Sequence, residues 1–169
     1  MSIIQILSNL FKKPAAAPVI PPAVTSPAAT PVMPPRRLLT VDDILTSSGK
    51  YPERATSSEC TAEVRGNAYT LVSKVNSLFL DLGVPDSLSV SSGFRTQAAN
   101  AGIPNAAKKS SHMEGKAVDL LDADGKLDAA IFAKPELLVK HNLYLEHPES
   151  TTGWTHLDIR PRDNHIFKV

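Results

Sequence analysis

The chain has 169 residues, 42% of them hydrophobic, which is material for one domain of ordinary size with a real core and not for two. Its 18 basic and 17 acidic side chains leave a formal charge of +1, so the basic footprint of a nucleic-acid binder is absent. The single cysteine, Cys60, excludes an internal disulfide framework and a thiolate-rich metal site, so any metal must be held by histidines and carboxylates.

In residues 1–13 the apolar side chains Ile3, Ile4, Leu7, Leu10 and Phe11 recur at helical spacing, which predicts a short amphipathic helix. It is too short to span a bilayer, and its two lysines follow the apolar part instead of preceding it, so it does not read as a secretory signal. Such a helix can dock on a protein assembly or lie on a membrane surface; a loosely held terminal helix is the equal alternative. Residues 14–37 hold eight of the fourteen prolines among Ala, Val and Thr, with no periodic apolar face, and read as a semi-extended linker. From residue 38 to 169 the composition is that of a folded domain.

Within that domain Val64, Ala68, Leu71, Val72, Val75, Leu78, Phe79 and Leu82 keep the 3.6-residue period, and Gly83 stands where a C-terminal cap belongs, predicting a long core helix over 62–82. Short strands are expected over 88–91 and 117–121. After the Asp124-Gly125 turn a helical pair interrupted by Pro135 is expected, then a hairpin of strands 142–146 and 154–160 joined by the turn-rich residues 148–153. The expected class is α+β, a small antiparallel sheet flanked by helices, with the long helix preceding the chemically informative motifs.

Two segments carry that chemistry. Ser110-Ser-His112-Met-Glu-Gly115-Lys-Ala-Val-Asp119 sets a histidine and an aspartate seven positions apart across a glycine turn, with Asp119 inside an apolar strand. A carboxylate between Val118 and Leu120 needs a partner to offset its desolvation, and a divalent cation supplies one. In Trp154-Thr-His156-Leu-Asp158-Ile-Arg160, alternation puts Trp154, His156 and Asp158 on one strand face and Leu157 and Ile159 on the other. Two imidazoles and one carboxylate around a zinc ion would leave a fourth position for water, the open arrangement of a catalytic site. Asp122-Ala-Asp124-Gly125 lacks the further ligands of a calcium loop and reads as a turn.

The pattern Ser-x-His-x-x-Gly-x-Ala-x-Asp followed by a later strand histidine resembles the zinc D-alanyl-D-alanine carboxypeptidase and endopeptidase family, whose fold hedgehog signalling domains share. Ser92-Gly93-Phe94-Arg95-Thr96 is similar to the segment that precedes the metal motif in many such enzymes, and the likeness spans roughly residues 89–160. It implies one Zn²⁺ per chain on His112, Asp119 and His156, with Arg95 anchoring substrate or stabilising the tetrahedral intermediate, and Ser110 holding substrate near the metal. Trp154 is expected as pocket wall. Where many members of the family carry an acidic residue three positions before the last metal histidine, this chain has Gly153. Glu146, set opposite His156 across the hairpin, is the favoured general base, and Glu149 and Asp158 stand as rivals.

The resemblance implies hydrolysis of an amide bond in peptidoglycan stem peptides, by a phage-encoded lysin or a virion-associated wall hydrolase that would act from the host cytoplasm on the wall or periplasm. A non-catalytic zinc-containing module of a phage assembly, and a D-Ala-D-Ala dipeptidase or carboxypeptidase, are the other readings.

Overall fold

A computed structural model describes residues 38–84 and 89–168. The expected amphipathic helix at 1–13 and the linker at 14–37 lie outside the described residues. The first helix, α1 (Val41–Thr46), starts at a capping box. Thr40 Oγ1 accepts the amide of Asp43, and the Asp43 carboxylate accepts the amide of Thr40. Ile44 and Leu45 of α1 are buried. A single turn, α2 (Glu53–Thr56), leads to α3 (Ala62–Leu82), which is the long core helix expected from the apolar period. Thr61 caps α3 at its start and Gly83, at φ 70°, ends it in the left-handed conformation that glycine adopts without strain. Its buried stripe of Val64, Ala68, Leu71, Val72, Val75, Leu78 and Phe79 supplies much of the core, each large aliphatic contributing about 1.5–3 kcal/mol by burial. No helix among the described residues is long and apolar enough to cross a membrane.

The strands are β1 (Val90–Ser92), β2 (Ala117–Leu121), β3 (Tyr144–Glu146), β4 (Trp154–Asp158) and β5 (Ile166–Phe167). They form one sheet in the order β1-β2-β4-β3-β5. The first three pairings are antiparallel and β5 joins β3 in parallel, so the sheet is mixed at one edge. That edge was not expected: two residues are too few to show alternation. The helical pair interrupted by Pro135 is α5 (Lys126–Phe132) and α6 (Glu136–His141), with a short α4 (Gln97–Ala101) after β1. The hairpin strands are shorter than the sequence pattern suggests. Asn142, at φ 49°, still belongs to the end of α6, and Asp158 folds back to accept the amide of Arg160 at 2.6 Å, which ends β4.

Register decides what each face of the sheet carries. Val118 pairs with Leu157, and Leu157 with Leu145; all three are fully buried on the core face. Asp119 pairs with His156 on the other face.

Candidate active site

His112 lies on a 3-10 turn, Ser111–Glu114, that is held at both ends. Ser110 Oγ accepts the amide of His112 at 3.3 Å, and Gly115 closes the turn at φ 67°. A side chain at Gly115 would meet the Val64 carbonyl of α3, and Asn67 of α3 donates to the Glu114 carbonyl, so the long helix is the backstop of the turn. The His112 ring is fixed from behind: its Nδ1 donates to the Gly93 carbonyl at 2.8 Å, leaving Nε2 free to face Asp119. Gly93 is in turn pressed against α1, since an added Cβ would sit 1.9 Å from the Ile44 carbonyl. Phe94 donates its amide to that same carbonyl, so the end of α1 sets where the segment before Arg95 runs.

His112, Asp119 and His156 converge. Each offers one ligand atom, these atoms lie within 4.8 Å of one another, and all three residues are buried. Asp119 Oδ1 is 2.7 Å from His156 Nδ1 and 3.3 Å from His112 Nε2. The second oxygen, Oδ2, accepts from Arg95 Nη2 at 2.8 Å, while Arg95 Nε donates to Ser92 Oγ. The donors fit a metal ion: two imidazole nitrogens and one carboxylate oxygen point to a common place, and outer partners at Gly93 and Arg95 hold the atoms that face away.

Without a metal the cluster manages its own charge. Burial alone would raise the Asp119 carboxyl, but its two histidine neighbours and their hydrogen bonds override this and hold it far below the usual carboxylate range. Burial would likewise lower His156; hydrogen bonding to Asp119 and the nearby Asp158 carboxylate instead lift it to about 9. His112 is pushed down, chiefly by burial. Asp119 is thus held as a carboxylate, and its attraction favours the charged form of His156 most strongly.

A cavity of about 430 Å³ opens over these residues and is also lined by Arg95, Ser110, Glu146 and Trp154. Glu146 ends β3; one step beyond the Leu145–Leu157 pairing brings it opposite His156. It is half-buried, its carboxylate makes no hydrogen bond among the described residues, and burial raises its pKa against the pull of His156. The rival carboxylates sit elsewhere. Glu149 is exposed and paired with Lys168. Asp158 is fully buried outside the cavity lining, where Oδ2 accepts from Ser111 Oγ at 2.9 Å and from Arg162 Nη2 at 2.8 Å and lies 3.9 Å from His156 Nε2. Its pKa falls because these partners outweigh its burial.

Two cavity residues, Arg162 and Phe167, were not anticipated. The Arg162 guanidinium lies 3.6 Å over the Phe167 ring, and Phe167 meets His156 edge-on at 6.3 Å. Phe167 reaches the site because β5 returns alongside β3, and Arg162 because it bonds to Asp158 at the end of β4; no sequence signal marks either. Among the other histidines, His141 pairs with Asp81 and His165 stacks on Tyr144, so both are structural; His147 packs against Phe132 away from the cavity.

In comparison with known proteins, the model of a family described as Peptidase M15 matches residues 38–158. That stretch holds the capping box of α1, the long helix, the His112–Asp119–His156 cluster and Glu146. No curated protein and no solved structure gives a significant match.

Proposed function

We propose that this chain, which belongs to the Peptidase M15 family, is a zinc metallopeptidase that hydrolyses an amide bond in peptidoglycan stem peptides, encoded by a phage as a lysin or virion-borne wall hydrolase. The observation that carries the reading is the convergence of His112, Asp119 and His156 at the floor of a cavity that also presents the unbonded carboxylate of Glu146. Two histidines and one carboxylate suit zinc and leave a coordination position open. Held there, zinc supplies Lewis-acid polarisation of a carbonyl and eases deprotonation of water.

The protein's own groups do the rest. Glu146 takes the proton of the attacking water and returns it to the leaving amine, and its raised pKa suits both halves of that task. Arg95 spends one N–H on Asp119 and one on Ser92, which orients the carboxylate ligand; its remaining N–H groups are available to a substrate oxygen. Ser110 and Trp154 border the cavity as walls for the peptide. Asp158, fixed by Ser111 and Arg162, stands behind His156 and keeps its ring turned toward Asp119.

The test is digestion of purified peptidoglycan by zinc-loaded protein, with mass analysis of what is released. Free stem peptides or peptide fragments are expected, and their masses separate endopeptidase from carboxypeptidase cleavage. Release of nothing from walls of several peptide chemistries would overturn the reading.

A further inference from the structure

A second cavity, of about 360 Å³, is lined by Arg95 but by none of His112, Asp119 and His156. Arg95 and Ile103 line both cavities, so the two adjoin along one wall. The second is lined by Tyr51, Arg54, Ser91 and Ser92 and by one side of α4, with no acidic side chain among its lining residues. Two arginines therefore line one space, and the Arg54 charge adds to the cost of the charge on Arg95.

Arg54 is held rigidly. Its Nη1 donates to the Phe94 carbonyl at 3.1 Å, and its guanidinium lies 3.8 Å over the Tyr51 ring. These contacts use only part of its donor fork: Nε and Nη2 have no acceptor among the described residues. Arg95 likewise keeps donors beyond those given to Ser92 and Asp119. A pre-set pair of cationic forks beside small hydroxyls is a receptor for a planar anion, and a carboxylate is the anion such forks bind in bidentate fashion.

We propose that this second cavity is a substrate subsite that binds a carboxylate of the stem peptide next to the bond being cut, with Arg54 as the specificity-determining residue. The inference rests on the peptidase reading for its substrate, while the site itself follows from the two arginines and the cavity they share. A wall peptide whose acidic side group is free would be preferred over one in which that group is a carboxamide, because the amide returns no charge to the two guanidinium groups and sets N–H against N–H.

The experiment compares two muropeptides that differ only in carboxylate against carboxamide at the acidic residue, cleaved by zinc-loaded wild type, Arg54→Gln and Ala98→Asp. Ala98 is exposed on the wall of the cavity, so Ala98→Asp introduces a repelling charge with little risk to folding. Wild type should favour the acid by about tenfold or more in kcat/KM. Both variants should lose about that factor on the acid through KM, with kcat and the amide substrate nearly unchanged. If Arg54→Gln does not fold, Ala98→Asp decides alone. Equal preference for acid and amide in wild type, or losses that fall alike on both substrates, would overturn the subsite. If wild type cleaves neither muropeptide, the peptidase reading fails separately. The Arg54 Nε–Hε resonance then decides the subsite on titration with N-acetyl-D-glutamate: a saturating shift supports it, and an unmoved resonance overturns it.

Discussion

Asp119 and His156 are a registered antiparallel pair on β2 and β4, and their side chains meet at 2.7 Å between Oδ1 and Nδ1. A divalent ion at this place would replace the proton that now joins them, so the two strands bring the ligands together before any metal arrives. Zinc should bind at about one ion per chain. Elemental analysis of purified protein should show it, and His112→Ala and His156→Ala should each lose most of it. Wild-type zinc content in either variant would show that the ion sits elsewhere.

The same pair predicts opposite pH trends for stability and metal binding. Folding raises His156 from 6.5 to about 9, so its contribution is fully present below about pH 6.5 and is lost as pH rises through 9. Metal-free protein should therefore lose up to about 3 kcal/mol between pH 6 and pH 10, a loss that His156→Gln should abolish. Zinc must displace that proton, so its affinity should climb with pH over the same interval. Thermal melts and zinc titrations at stepped pH check both; an apparent affinity that is flat from pH 6 to 9 would contradict the coupling.

Glu146 separates catalysis from mere metal binding. Glu146→Gln should keep fold and zinc while cutting turnover by about a hundredfold to ten-thousandfold. Glu149→Gln should behave as wild type, since that side chain faces solvent and Lys168. Asp158→Asn should weaken zinc and stability more than chemistry, because it disturbs the bonds from Ser111 and Arg162 behind His156. Activity should be lost as pH falls and Glu146 takes up a proton, since the neutral acid cannot accept one from water.

Gly93→Ala tests how far the metal site depends on α1. The new methyl would collide with the Ile44 carbonyl, which belongs to backbone and cannot swing away. A loss of about 1–3 kcal/mol or more is expected in denaturant titration, together with weaker zinc binding, since the Gly93 carbonyl orients His112. A stable variant with unchanged zinc affinity would mean that this contact does not position the ring.

Removal of residues 1–37 should leave zinc content and turnover on soluble muropeptides unchanged, because a proline-rich linker contributes no packed support to a site. Activity that falls only on whole cells or assembled particles would assign those residues to delivery.

How much of this was legible depended on the length of each signal. α3 spans several turns, so its apolar period stands out, and both of its ends carry side-chain or glycine caps. The three residues that converge, His112, Asp119 and His156, sit in a motif whose spacing can be recognised, and the strand alternation of His156 is local. The pairing of β2 with β4 is not local: more than thirty residues separate the partners, and only the folded core fixes their register. Phe167 was invisible because it reaches the cavity through a two-residue parallel strand with no pattern of its own, and Arg162 because it lies in the irregular segment after β4, held there by Asp158. The Gly93 carbonyl escaped for another reason, since a backbone atom leaves no mark in a side-chain motif.

The sheet ends in two very short strands, three residues in β1 and two in β5. An edge strand is where a second chain can add itself by backbone pairing, and the hazard grows with the length of ladder on offer. β3, next to the metal cluster, would present such an edge, but Leu145 and His147 give their amides to the carbonyls of His165 and Phe167. The stub that completes the cavity wall thus also covers the β3 edge and leaves only a two-residue strand at that end of the sheet for another chain to pair with.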